Sequence, residues 1–521
     1  MEECKMKQIH SMLMIAALLV ASVVMTGCKD NDGDSGRSDK GIVVPNYQVV
    51  LDFFKEVNAV PRPSKHEEKM REYLTHFAAT RGLSCSEHDG NILIRKDATK
   101  GMENVPSVVL QTHMDMVCVA AEGYNIDFLT EGIESETSDG YIHSKDFKTT
   151  LGADNGIGLS IVLAILDSKE IVHGPLECLF TWDEEQGMSG ASSLKPGVLK
   201  SKYMLNIDSA EDGYLLVGTA GGVNVNIHKA YTLDPLPTGY ASFQINVNGL
   251  AGGHSGVMIN NGGANANKLI ADFLNDVSVD YRLVSFEGGT VPNAITESAT
   301  AIVLVPFDDI ETFMSDFNTY MNDAKEKYKD VDVDMSCDEH PLLGTNHCIP
   351  QAAADLLISG VSASPQGVLE WSKVVEGIFE VSSNIGVVLT EDDGWFVREL
   401  PRSFTDSKID AVAQQIAGCF EGAEVELENR YSPWSPDITS PLIVYSQKVY
   451  QDINGKPIEL FIVGGGVEAS AFSVTYPDMQ IVCYGPTILD AHTINERVEI
   501  ATIETCWRYT IYLLGQMAEC K

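Results

Sequence analysis

Short apolar runs that each break off at an imidazole or a carboxylate constrain this chain more than any other feature. Ser107-Val-Val-Leu-Gln-Thr112 runs into His113, Leu176-Glu-Cys-Leu-Phe-Thr-Trp182 into Asp183-Glu184-Glu185, and Tyr203-Met-Leu-Asn-Ile207 into Asp208. Asn91-Ile-Leu-Ile-Arg95 and Gln480-Ile-Val-Cys-Tyr484 are strand-like as well, and Asn155 to Leu166 is apolar and of helical length. Strands buried on both faces read as continuous apolar runs, and their alternation with helices predicts an α/β sheet with helices on both sides. Ligands of such sheets gather where the strands end, which makes the polar residues at those ends the first candidates for function.

The middle of the chain has a different texture. Between 222 and 431 lie strands such as Ser242-Phe-Gln-Ile-Asn-Val247 and Ala301-Ile-Val-Leu-Val305, interrupted by amphipathic stretches at 267–275 and 310–328. This α+β pattern predicts a second domain inserted into the first, which is then formed by 42–221 and 432–521. Near the start of the first part, Ser64 and Glu67 have the spacing of a capping box and predict a helix running to Arg81.

The 521 residues, 44% of them apolar, are enough for two packed cores. Acidic residues outnumber basic ones 74 to 36, and a net charge of −38 argues against binding nucleic acid or anionic lipid. Eleven cysteines include no Cys-x-x-Cys pair. Cys178, Cys483 and Cys506 sit in apolar runs and read as buried free thiols.

At the N-terminus Lys5 and Lys7 precede an apolar run from Met12 to Met25, 14 residues long and short for a membrane span. It ends in Met25-Thr-Gly-Cys28, which resembles a bacterial lipobox. Residues 1–27 are thus expected to be a lipoprotein signal peptide, with Cys28 lipidated and 28–41 a polar tether. This predicts a lipid-anchored protein in the periplasm or on the outer-membrane surface, touching membrane only through its anchor.

The candidate chemistry comes from His113, Asp154, Glu185, Asp208 and His492. Asp115 lies two residues past His113, the spacing at which a carboxylate on the same face orients a metal-binding imidazole. Two imidazoles and three carboxylates suit zinc, cobalt or manganese better than calcium. Carboxylates ~4 Å apart repel by about 4 kcal/mol per pair at an effective dielectric of 20, so such a cluster needs cations or raised pKa values. Taken singly each residue has a plainer reading: Asp154 as a helix N-cap, Glu184-Glu185 as a solvated strand end, the histidines as structural. Spacing alone does not join them.

A series of motifs does. Pro61-Arg-Pro-Ser64, Gly90-Asn-Ile-Leu-Ile-Arg95, Gln111-Thr-His-Met-Asp-Met116, Thr150-Leu-Gly-Ala-Asp-Asn-Gly-Ile-Gly158, Glu184-Glu185, Gly252-Gly-His-Ser-Gly256, Gly263-Ala-Asn-Ala-Asn-Lys268 and Gly485-Pro-Thr487 occur in this order. From about Tyr47 onward the chain resembles the aminoacyl-histidine (cytosol non-specific) dipeptidases of the di-zinc aminoacylase/carboxypeptidase superfamily. The resemblance implies a two-domain di-zinc peptidase fold, a catalytic α/β sheet domain carrying an inserted α+β lid at 222–431. It implies two Zn2+, with Co2+ or Mn2+ as alternatives, one held by His113 and Asp208, the other by Glu185 and His492, with Asp154 bridging. Glu184 is implied as general base toward a di-zinc-activated water, and Asp115 as the residue that orients His113. The peptide after Asp154 is expected to be cis. In the lid, His254 is implied in oxyanion stabilisation and Asn293 and Arg402 in holding the substrate carboxylate, while Gly466 leaves room for substrate.

The implied reaction is hydrolysis of unblocked dipeptides, of Xaa-His type or broader. Two rivals stand beside it: an N-acyl amino acid amidase of the same superfamily, and, more remotely, a surface binding protein without turnover. The lid either substitutes for a dimer partner or forms a homodimer. Gly464-Gly465 replaces the histidine-alanine usual before the final glutamate of the motif, so side-chain preference is less defined than hydrolysis itself.

Overall fold

The computed structural model describes residues 42–342 and 346–521. Two large sheets carry the architecture. The first has eight strands in the order Ser84–His88, Asn91–Lys96, Leu176–Thr181, Val108–His113, Tyr203–Asn206, Gln480–Cys483, Tyr214–Thr219 and Glu459–Val463. Its centre is parallel: Val108–His113 runs alongside both Leu176–Thr181 and Tyr203–Asn206, and the last of these alongside Gln480–Cys483. All six residues of Val108–His113 and of Leu176–Thr181 are buried, as strands covered on both faces must be.

Alternate residues of these strands feed two cores. Val108, Leu110, Cys178, Phe180 and Leu205 face a large core closed by the helices Gln48–Asn58, Glu68–Arg81, Ala153–Asp167, Pro441–Asn454 and Ile500–Gly515. Val109, Leu179 and Met204 face a smaller one with Ala191, Ala469 and Phe472 from the short helices Ser189–Ser193 and Glu468–Thr475. Parallel strands bring their C-terminal ends to one edge, so His113, Asp183 and Asp208 emerge side by side although up to 95 residues separate them in the chain.

The second sheet has nine strands, all antiparallel, beginning with Gly221–Ala230 and ending with Glu424–Tyr431. The helices Ala266–Asp276, Ile310–Tyr328, Gln351–Ala363 and Asp406–Cys419 pack on one face over a separate core that includes Ile245, Phe273, Phe317, Leu357 and Val397. The edge strand Glu424–Tyr431 is largely exposed, and its four acidic and basic side chains discourage a further strand from adding to it. The fold is thus α/β with an antiparallel second unit. The helix expected after Ser64 starts at Glu68, and no capping box forms. The Ser64 hydroxyl points to Met116 O, and the Glu67 carboxylate accepts from Lys65 N (2.7 Å) and, across the fold, from Asp183 N (3.1 Å).

A small four-stranded sheet of Ser135–Ser138, Tyr141–Ser144, Ile488–Leu489 and Arg497–Glu499 frames the loop that carries His492. Cys178, Cys483 and Cys506 are buried free thiols. The leader, the tether and Cys28 lie outside the described residues; among the described residues no helix is long and apolar enough to cross a membrane.

Candidate metal centre

His113 closes its strand with the ring completely buried. Its Nδ1 lies 3.2 Å from Asp115 Oδ1, and its Nε2 lies 3.0 Å from Asp154 Oδ1 and 3.4 Å from Asp208 Oδ1. On the other side, His492 Nε2 lies 2.9 Å from Glu185 Oε2 and 3.5 Å from Asp154 Oδ2. The two Asp154 oxygens therefore face two different imidazole–carboxylate pairs. Single ligand atoms of His113, Asp154 and Glu185 fall within 4.8 Å of one another, an arrangement able to hold a metal ion.

Asp154 does not cap its helix. The residue in the N-cap position is Gly152, left-handed at φ 72°, and Asp154 and Asn155 have non-helical dihedrals within the first turn. The peptide between them is cis. The Asp154 carboxylate faces both histidines, while Asn155 Nδ2 donates to Ile207 O (2.7 Å) and to Asp208 Oδ1.

The electrostatics are those of a site short of positive charge. Burial disfavours a charged His113, yet Asp208, Asp115 and Asp154 together carry it well above the ordinary histidine value. His492 rises to about 10 through its hydrogen bonds with Asp154 and Glu185. Burial pushes Asp208 up to about 6 and Glu184 well above the ordinary carboxyl range, the latter helped by Asp208, Glu468 and Glu185. Burial acts the same way on Asp154, but its bonds to both imidazoles hold it low. Glu185 Oε1 is buried with no hydrogen-bond partner. Carboxylates crowded around two imidazoles, with an unpartnered buried oxygen among them, form a donor set that fits a divalent ion.

Several residues that set this geometry carry no signal at the strand ends. The Glu496 carboxylate, 345 residues from Leu151, accepts from the N–H groups of Leu151 (2.8 Å), Gly152 (2.9 Å), Ala153 (2.7 Å) and Asp154 (3.3 Å). Arg62, wholly buried, donates to Asp115 O (2.9 Å) and Gly152 O (2.5 Å) and so fixes both loops from beneath. Arg62 lies within a motif noted in the sequence; Glu496 had no local pattern to mark it. Asp115 has a second task besides His113: its two oxygens accept from Glu184 N (3.1 Å) and Glu185 N (3.3 Å).

The remaining candidates gather at the junction of the two sheets. Arg402, 3% exposed, donates from Nη1 to Tyr431 Oη (2.6 Å) and to Gly464 O, while its Nε is buried without an acceptor. His254 is lowered by burial and by the nearby Arg402. The loops of His254 and Asn293 are joined: Ser255 N donates to Asn293 O (2.8 Å) and Ile295 N to Gly253 O (2.9 Å). Gly256 and Gly464 cross backbone to backbone, so closely that a Cβ on either would strike the main chain of the other. Among the described residues, a Cβ on Gly466 would meet the tip of Met188 and the ring of Tyr431.

The chain is similar to known proteins. The model of peptidase family M20/M25/M40 matches residues 109–516. The cytosol non-specific dipeptidase of Escherichia coli is 35% identical over 475 residues, 90% of this chain and 98% of its own length. The crystal structure of aminoacylhistidine dipeptidase from Vibrio alginolyticus superimposes with a TM-score of 0.87 at 36% identity, covering 92% of this chain and 98% of that one. The aminopeptidase PepT of Bacillus cereus shares the fold at 19% identity and a TM-score of 0.54. The similarity corrects the expected location. The Escherichia coli relative is a cytosol enzyme by name, and nothing in the comparisons or the described residues supports a lipoprotein, a signal peptide or a lipid-anchored protein in the periplasm or on the outer membrane. An apolar run ending in small residues before a cysteine is too short a pattern to carry that inference.

Proposed function

The chain belongs to peptidase family M20/M25/M40, and from that premise we propose that it hydrolyses unblocked dipeptides at a two-metal centre, including dipeptides that end in histidine. The observation that carries the reading is Asp154, whose two carboxylate oxygens face separate imidazole–carboxylate pairs. In this reading His113 and Asp208 would hold one ion and Glu185 and His492 the other, with Asp154 available to both. The donor set favours zinc, with cobalt or manganese as substitutes. When bound, the ions polarise the scissile carbonyl and lower the pKa of water.

Glu184 takes the proton of the attacking water and passes it to the leaving amine. A general base works best with a pKa near the working pH, and the burial that raises Glu184 moves it that way; cations beside it draw it back down. Asp115 holds the His113 ring by Nδ1 and the Glu184–Glu185 turn by its two N–H groups, so one carboxylate aligns a ligand and the base together.

The stretch 222–431 serves as a lid over the strand ends. Arg402 and Asn293 receive the substrate carboxylate, His254 faces the oxyanion, and Gly466 gives the substrate backbone room. The unpartnered Nε and the buried position of Arg402 support its part, since a desolvated guanidinium gains most from a carboxylate. The test is hydrolysis of Ala-His, β-Ala-His, Gly-Leu, Ala-Ala-Ala and N-acetyl-Ala-His, with chelator and then zinc or manganese restored. Chelator-sensitive cleavage confined to the free dipeptides is expected. Cleavage of the acetylated compound alone would replace the proposal with an N-acyl amidase.

A further inference from the structure

Asn384 stands in the middle of the Phe379–Thr390 strand, 1% exposed, in a row of small polar residues that no apolar core explains. Its Nδ2 donates to Pro292 O (2.9 Å) and to Ala294 O (2.7 Å), so one amide grips the main chain on both sides of Asn293. Its Oδ1 accepts from Asn265 Nδ2 (3.4 Å), which also donates to Ile385 O (2.9 Å). Asn265 in turn caps the Ala266–Asp276 helix by accepting from Lys268 N, which fixes the pair to a long, buried element. Two residues on, Gly386 has no side chain because the main chain of Val291 and Pro292 lies against it.

The gripped segment is the one already joined to the His254 loop through Ser255 N and Ile295 N. The strand of Asn384 is also paired with the strand of Arg402, Ser382 opposite Arg402 and Asn384 opposite Leu400. One side chain therefore sets the distance between the Arg402 strand and the loops of both Asn293 and His254. We infer that Asn384 is a positioning residue for substrate binding and turnover, acting through the Asn293 and His254 loops. This rests on the proposed substrate roles of those two residues.

Only an amide that donates twice satisfies both carbonyls. Asn384→Asp keeps the shape but presents acceptors to acceptors, and Asn384→Ser keeps one donor on a shorter arm. Displacing a substrate-holding group by about 1 Å from a distance costs on the order of 100-fold in rate. Full-length protein carrying Asn384→Asp is therefore expected to lose roughly 100-fold in kcat/KM, in both KM and kcat, with metal content unchanged. Asn384→Ser, the milder variant should the first not fold, is expected to lose less in the same pattern.

The loss should nearly vanish when Asn384→Asp is added to a His254→Ala, Asn293→Ala double variant, because the groups it positions are gone. An undiminished loss in that background, or wild-type kinetics for both Asn384 variants, would overturn the inference. Wild-type kinetics for the His254→Ala, Asn293→Ala parent would instead show that the substrate reading of those residues had failed.

Discussion

The ends of the parallel strands and the loops of the antiparallel sheet build their sites by opposite means. At the parallel edge, topology does the gathering: His113, Asp183 and Asp208 emerge together because their strands run side by side in one direction. In the antiparallel unit no such edge exists. His254, Asn293 and Arg402 come from two loops and a strand, and hydrogen bonds from buried asparagines hold them together. The first kind of site is as rigid as its sheet; the second is as rigid as its polar contacts.

The largest expected effect lies at the parallel edge. Glu184→Gln should lower kcat by roughly 100- to 10,000-fold while metal analysis shows unchanged stoichiometry. A variant with normal turnover would remove the general base from this edge. Next, Arg402→Ala should raise KM for free dipeptides about 10- to 100-fold, the worth of a hydrogen-bonded charge, and leave metal binding alone. Metal loss in that variant would show that the two sites are not separate. Glu496→Gln keeps the shape but weakens the hold on four N–H groups beneath Asp154, and should reduce metal affinity by about 10- to 100-fold, read by competition with a chelating dye.

The smallest effect belongs to the antiparallel unit alone. Glu399 is fully buried, and burial raises it to about 8 against the opposing pull of Ser364 and Lys268. A folded state that keeps a proton the unfolded chain gives up is favoured at low pH. The stability conferred by neutral Glu399 is therefore lost as pH rises from the ordinary carboxyl range through about 8. Glu399→Gln should flatten that slope, so that its denaturation midpoint exceeds the wild-type value at pH 8.5 and matches it at pH 5. Equal midpoints at both pH values would mean that folding does not raise the pKa of this carboxyl.

Sequence reading found the two kinds of site unequally. Apolar runs and the polar residues at their ends are local patterns, and the structure places His113, Glu184, Glu185 and Asp208 where the parallel strands end. Joining them with Asp154 and His492 took the ordered motifs, since a loop partner more than 300 residues away leaves no periodicity. The same distance hid Glu496, and the buried asparagines read as ordinary strand and helix residues. Glu67 shows the reverse failure: its local spacing matched a capping box, but Asp183 N supplied a competing partner that only the fold brings near. The N-terminal motif failed for want of any second observation.

The crossing of Gly256 with Gly464 gives the junction an unusual character. Most joints between structural units are keyed by side chains, which evolution can trade for others of similar shape. This one is keyed by the lack of them, main chain lying against main chain where the His254 loop meets the loop that follows the strand Glu459–Val463. Such a joint has no conservative replacement: even one methyl group on either glycine is a wedge between the two main chains.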